Sequence, residues 1–233
     1  MLILVLLIFW SVSCNDDDDD DSSPYDDDDD DDDDDDNDDN DDDDFYAPPP
    51  SNDVGIFVAT TGNDDNPGTM EAPLRTVTKA AEVAENEGKS VFVAGGEYQH
   101  DELTTRVSLF GGYDGVTWAR DLSAYPTTLI GTGWATLVIE PSGRKTEIIM
   151  EGFVVQHAGL FTDGAAGVYV RGPSTFVNNI FRMAGGYDGH VIGQSNGEEL
   201  VVLYNDFAEF GDTIGFTGWS GWAVHDLDTL NDC

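Results

Sequence analysis

Basic residues are scarce in this chain: nine Lys and Arg stand against 48 Asp and Glu, a formal net charge of −39 over 233 residues. Phosphate binding needs a basic footprint, so nucleic acid is excluded as a partner, as is electrostatic docking on anionic lipid. Cysteine is scarcer still. Cys14 and Cys233 lie at opposite ends and lack the spacing of a disulfide framework. No apolar run reaches the roughly 18 residues that a membrane-spanning helix needs. No Ser or Cys nucleophile arrangement is present in the body. What the chain has instead is 26 glycines and 11% aromatics, a mixture that suits a turn-rich β protein.

The charge is unevenly spread. Twenty-three of the 48 acidic residues are aspartates between positions 16 and 44, where no basic residue occurs; the remaining 25 against nine leave −16 on the rest. The tract is broken only by Ser22, Ser23, Pro24, Tyr25, Asn37 and Asn40. Like charges repel and no apolar surface offsets the entropy of ordering, so an extended, disordered tether is expected. At about 3.3 Å per residue its reach is up to about 100 Å. Carboxylates are hard oxygen ligands that suit calcium, but the spaced, Gly-punctuated order of a calcium loop is missing. Weak, nonspecific calcium binding by the tract is expected, with no defined metal site and no cofactor.

Ahead of the tract, residues 1–12 form an apolar run of signal-peptide length, ending at Ser11-Val12-Ser13-Cys14. Small residues leading into a single cysteine resemble the lipobox of bacterial lipoproteins. The resemblance implies cleavage after Ser13 and acylation of Cys14, and hence a membrane partner through a lipid anchor, at the outer membrane or cell surface. The chain departs from that pattern in having Ser11 where Leu is usual, and no basic residue before the apolar run. The run by itself also fits a plain secretory signal or an uncleaved anchor. The organisation expected is a signal peptide at 1–13, an anchor cysteine with an Asp- and Pro-rich tether at 14–52, and a folded domain at 53–233.

From Val54 the texture changes. Gly55 to Thr61 reads as a strand and Gly62-Asn63-Asp64-Asp65-Asn66-Pro67-Gly68-Thr69 as a dense turn. Val77, Ala80, Ala81 and Ala84 fall at i, i+3, i+4 and i+7, which predicts one helix with a single apolar face, closed by Gly88. Val91 to Tyr98 returns to strand and glycine turn. The order FVATTGNDDNPGT, EAPLRTVTKAAEVA, SVFVAGGEY, followed by LFGGYDGVTWARDL from Leu109 to Leu122, is similar to the N-terminal portion of surface proteins with the pectin-lyase-like fold. The resemblance covers about residues 54–125. It implies an all-β, right-handed parallel β-helix (a solenoid) whose open end is covered by a short N-terminal capping helix beginning at Thr76.

A repeat points the same way. Glu151-Gly152-Phe153-Val154, Asn179-Ile180-Phe181-Arg182 and Asn205-Asp206-Phe207-Ala208 read as one unit, with Phe153 and Phe181 28 positions apart and Phe181 and Phe207 26 apart. Periodicity alone leaves a β-sandwich open; with the cap segment a solenoid of four or five coils is expected. Ile148, Met150, Phe153, Val155, Val168, Val170, Phe176 and Ile180 are expected to point inward, and Asn178, Asn179 and Asn205 to occupy turns and ladder between coils.

Function is less legible, because the fold hosts polysaccharide lyases and hydrolases as well as proteins without catalysis. A lyase would need calcium-binding carboxylates and a basic residue, for which Asp163, Asp188, Asp206 and Asp212 with Arg171 or Arg182 are candidates; none lies in a lyase motif. Asp188-Gly189-His190 is the nearest fragment to a hydrolase segment, in the wrong surroundings. His157 and His190 read as turn or surface histidines, and Asp114, Asp121 and Asp188 as turn residues. Trp118, Trp134, Trp219 and Trp222 are candidates for an aromatic sugar-binding strip, Trp219 and Trp222 above all. The expectation is a lipoprotein that presents a non-catalytic β-helix for adhesion, recognition or structure, with an extracellular polysaccharide or protein as partner; the alternatives are a carbohydrate-binding protein and a lyase or hydrolase.

Overall fold

The computed structural model describes residues 47–141, 146–158, 166–183, 190–194, 200–208 and 215–217. They form a parallel β-helix. A leading strand β1 (Gly55–Val58) and a helix α1 (Val77–Glu87) precede five coils of three strands each. The first coil is β2 (Ser90–Ala94), β3 (Gly96–His100) and β4 (Leu103–Thr105); the second is β5 (Leu109–Tyr113), β6 (Thr127–Gly131) and β7 (Ala135–Ile139). The third is β8 (Ile148–Glu151), β9 (Phe153–His157) and β10 (Ala166–Val170); the fourth is β11 (Ser174–Val177), β12 (Ile180–Met183) and β13 (His190–Gln194). The fifth is β14 (Leu200–Leu203), β15 (Asp206–Ala208) and β16 (Gly215–Thr217).

Each strand pairs in parallel with its counterpart one coil away. The three resulting sheets run β1-β2-β5-β8-β11-β14, β3-β6-β9-β12-β15 and β4-β7-β10-β13-β16. Parallel strands joined by crossovers on one sheet take the right hand almost without exception, which gives the coil its handedness.

The helix is the one the sequence predicts. Thr76 is its N-cap, in extended conformation, and its hydroxyl accepts from the Lys79 N–H at 3.3 Å. The Asp64 carboxylate reaches in from the preceding turn to accept from the Arg75 and Thr76 N–H groups and the Thr76 hydroxyl, each at 2.9 Å. Gly88 ends the helix at φ 67°, a left-handed C-cap that a side chain would strain. The buried face is Val77, Ala80, Ala81 and Ala84, packed on β1, β2 and β4. Small side chains let the helix lie close over the first coil, and so close the end of the stack.

Alternation splits the first sheet into two apolar layers. Ile56, Val58, Val91, Val93, Leu109, Ile148, Met150, Phe176 and Leu200 point into the coil, where they join the inward residues of the other sheets. Phe57, Phe92 and Phe110 point outward and stack, Phe57 on Phe92 at 5.3 Å and Phe92 on Phe110 at 5.6 Å between centroids. This outer column is not open to solvent. The chain between β5 and β6 folds back over it, and Trp118 packs edge-on against Phe57 at 4.6 Å and is only 3% exposed. Trp118 is therefore a packing residue rather than part of a sugar-binding strip.

The repeat corrects the sequence reading. Phe153 pairs with Thr127 and Phe181 with Val155, so Phe153 and Phe181 are not equivalent. The inward column of the second sheet is Leu129, Val155 and Phe181, each 26 positions from the last, as are Met150, Phe176 and Val202 in the first; Phe207 pairs with Phe181, 26 positions on. Ile180, expected inside, pairs instead with Val154 on the outer side and is half-buried. The cause lies in the corner before it. Gly152, Asn178 and Tyr204, also 26 apart, all adopt positive φ (80°, 52° and 53°), and this kink decides which face the next residue meets. Asn179 then takes the position that Phe153 holds one coil earlier.

Two of the three asparagines expected to ladder do so. Asn179 is fully buried; its Oδ1 accepts from the Phe153 N–H at 3.0 Å and its amide donates to the Met150 carbonyl and to Asn205 Oδ1, both at 2.9 Å. Asn205 repeats the motif, accepting from the Asn179 N–H at 2.9 Å and donating to the Phe176 carbonyl at 2.8 Å. Asn178 serves the turn through its left-handed backbone.

Candidate functional site

On the third sheet, Leu137, Ile139, Val168 and Val170 are core residues, so Val138 and Tyr169, which pair with one another, face outward. Trp134, one residue before β7, sets its ring 5.2 Å from that of Tyr169 at 67°, an edge-to-face pair. Trp134 keeps 40% of its surface exposed. The Arg171 guanidinium lies 5.5 Å from the centre of the Tyr169 ring.

Arg106, Glu140 and Arg171 each follow the last residue of a third-sheet strand, and Thr105, Ile139 and Val170 are in register. The three side chains thus make a short ladder of alternating charge. Glu140 Oε1 accepts from Arg171 Nη1 at 2.9 Å and Oε2 from Arg106 Nη2 at 3.1 Å, while Arg106 also reaches Glu85 at 3.2 Å. The hydrogen bond from Arg171, outweighing desolvation, holds the Glu140 carboxyl below its ordinary value. A carboxylate fixed between two guanidiniums is a poor proton donor. The arrangement offers an aromatic edge beside fixed polar groups, which suits recognition of a ring with hydroxyls.

Other candidates have structural duties. Asp114 accepts from the Val116 and Thr117 N–H groups and the Thr117 hydroxyl, and Asp121 from those of Ser123 and Ala124. Both carboxyls sit below the ordinary value, that of Asp114 chiefly through the Thr117 N–H and that of Asp121 through the Ala124 N–H. They are turn residues, as expected. Arg182 and Asp206 are exposed on the second sheet, whereas Arg171 follows the third, so the two arginines named for a lyase share no face. Asp163, Asp188 and Asp212, the side chain of His190, the lipid-attachment candidate Cys14, and Trp219 and Trp222 lie outside the described residues. Among the described residues no group of three or more His, Cys, Asp or Glu is placed to hold a metal ion, and no helix is long and apolar enough to cross a membrane.

His157 is a correction: it is fully buried rather than at a turn or the surface, because it ends β9 on the inward side of the coil's corner. His100, Gly131 and His157 are in register, with Thr136 beside them. His100 Nε2 lies 2.7 Å from the Thr136 carbonyl and His157 Nδ1 3.2 Å from the Thr136 hydroxyl. Desolvation holds both imidazoles below their ordinary value, in His100 despite the nearby carbonyls. The unfolded chain therefore takes up protons near the ordinary pKa of 6.5 that the folded chain refuses, so stability falls as pH drops below it. A lower urea midpoint at pH 5.5 than at pH 7.5 is expected, with the difference reduced by His157→Gln. The depressed carboxyls add their loss only at more acid pH.

Sequence reasoning singled out Trp134 but not Tyr169 or the Arg–Glu–Arg ladder. The ladder's spacings are 34 and 31 residues and that of the aromatic pair is 35, so no fixed period exposes them. Residues 60–105 match the family model described as Protein of unknown function (DUF1565), a family associated with β-helix proteins. The match spans the end of the first strand's turn, the capping helix and the first coil, and stops short of the aromatic pair. No curated protein and no solved structure gives a significant match.

Proposed function

We propose that the chain is a lipid-anchored surface protein whose β-helix is displayed at the end of an acidic tether for adhesion, recognition or structure rather than catalysis. The order of segments carries this reading: a lipobox-like cysteine, 23 aspartates with no basic residue among them, and then a folded solenoid. Support comes also from charged groups among the described residues: Asp64, Asp114 and Asp121 cap turns or the helix, and the Arg106–Glu140–Arg171 ladder braces coils. Cys14→Ser tests the anchor. Wild-type protein is expected in the membrane fraction, exposed to protease on whole cells, and the variant in the soluble fraction. A variant that stays with the membrane overturns the lipid anchor.

The Trp134–Tyr169 pair favours a second reading, in which the displayed surface recognises carbohydrate. Trp134→Ala is then expected to abolish glycan-array binding while the protein stays folded, at a cost of about 1–2 kcal/mol for the lost contact with Tyr169. Binding that survives this change but is lost with Trp219→Ala and Trp222→Ala would place recognition at the other candidate residues.

A further inference from the structure

The chain enters the solenoid at Gly55, on the first strand of the first sheet, yet the Ala47 N–H donates to Glu151 Oε2 at 2.9 Å on β8, the fourth strand in that sheet. Three strand spacings separate these points, about 14 Å. Eight residues in the extended form that Pro48-Pro49-Pro50 favours reach about 25 Å, so the segment has length enough to run back across the outer face of the sheet. Ala47 packs on the outer aromatic layer of Phe57, Phe92 and Phe110. At the other end, the Asn52 side chain accepts from the Met70 N–H at 2.8 Å and donates to Glu71 at 3.2 Å, and the Ser51 carbonyl accepts from the Val54 and Gly55 N–H groups. The segment is held at both ends.

Its far end meets a group that favours a donor. Glu151 is a fully buried carboxylate: Oε1 takes Arg120 Nη1 at 2.9 Å and Oε2 takes the strap's N–H. A buried charge is tolerated only when hydrogen-bonded and paired, so the carboxylate favours the seated strap over the released one. We propose that residues 47–54 are a strap latched on Glu151, which holds Ala47 on the flank of the solenoid at the third coil and not at its capped end. Release of the latch frees about eight residues of slack and uncovers one edge of the aromatic layer. The device does not depend on whether Cys14 is acylated.

Hydrogen exchange on the full-length chain tests it. The Ala47 amide, which belongs to no strand or helix, is expected to exchange at least tenfold more slowly than an unstructured alanine amide. Ala47→Pro keeps the backbone extended but removes the donor, and is expected to speed exchange of the Val54 and Gly55 amides at least threefold while the β2 and β5 amides stay protected. Exchange of Ala47 at the unstructured rate, with β2 and β5 protected, overturns the latch. So does an Ala47→Pro chain whose Val54 and Gly55 amides are unchanged.

Discussion

Replacing Arg120 with Met is expected to lower the free energy of unfolding by about 3–5 kcal/mol, the usual consequence of leaving a buried charge without its partner. The Glu151 carboxylate is 0% exposed and the Arg120 side chain 11%. Arg120 does more than neutralise it. Its Nε donates to the Gly111 carbonyl at 3.0 Å, and its guanidinium lies 5.4 Å from the centre of the Tyr113 ring, so one side chain pins the β5–β6 loop over the outer aromatic column. Gly152, beside Glu151, leaves room for this: a Cβ there would lie 2.6 Å from Leu122 and 3.0 Å from Arg120. The double variant Arg120→Met with Glu151→Leu is expected to recover much of the loss, because an apolar pair needs no solvation. Arg171→Met should cost no more than about 1 kcal/mol, since its ion pair with Glu140 is exposed and screened. Urea denaturation of the four proteins checks the order; equal losses at Arg120 and Arg171 would contradict it.

Asn179→Ala is the second large effect, about 2–4 kcal/mol. The side chain satisfies the Phe153 N–H and the Met150 carbonyl across two coils, and each buried group left unpaired costs about 1–3 kcal/mol. Asn205→Ala should cost less, because Asn205 is partly exposed and water can replace some of its bonds. The denaturation midpoints of the two variants, measured side by side, give the comparison. Asp at 179 should be as harmful as Ala, since a carboxylate supplies the acceptor but loses the donors to Met150 and Asn205.

The parts of the fold that sequence revealed are those with a local cause. The helix followed from the i, i+3, i+4, i+7 spacing of Val77, Ala80, Ala81 and Ala84 and from Thr76 and Gly88 at its ends; the structure buries those four residues. The coil repeat was visible through the 26-residue spacing of Phe181 and Phe207, which pair directly. It was misread at Phe153 because Asn179, not a phenylalanine, holds the equivalent corner position in the next coil, so matching Phe to Phe shifts the frame by two residues. Ile180 was placed inside because the left-handed Asn178 turns the following residues to the other face, a shift that no alternation of apolar residues records.

The outer layer was hidden by its chemistry. Phe57, Phe92 and Phe110 look like core residues in any strand, and nothing local says that they form a second core outside the coil. Glu151 within Ile148-Ile149-Met150-Glu151-Gly152-Phe153 was the available signal: a lone acid in an apolar strand demands a partner. That its partner is Arg120, 31 residues upstream on an inserted loop, is information that only the packed chain contains. The Trp134–Tyr169 pair was half legible for the same reason, the tryptophan standing out by type and the tyrosine only by register.

The proposal of a tethered, displayed solenoid is tested most directly by the intact mass of the protein extracted from membranes. A mature chain that begins at Cys14 and carries added acyl mass is the predicted result. A soluble chain of unmodified mass would contradict it, and would leave the 23 aspartates as a solubilising tail on a secreted β-helix.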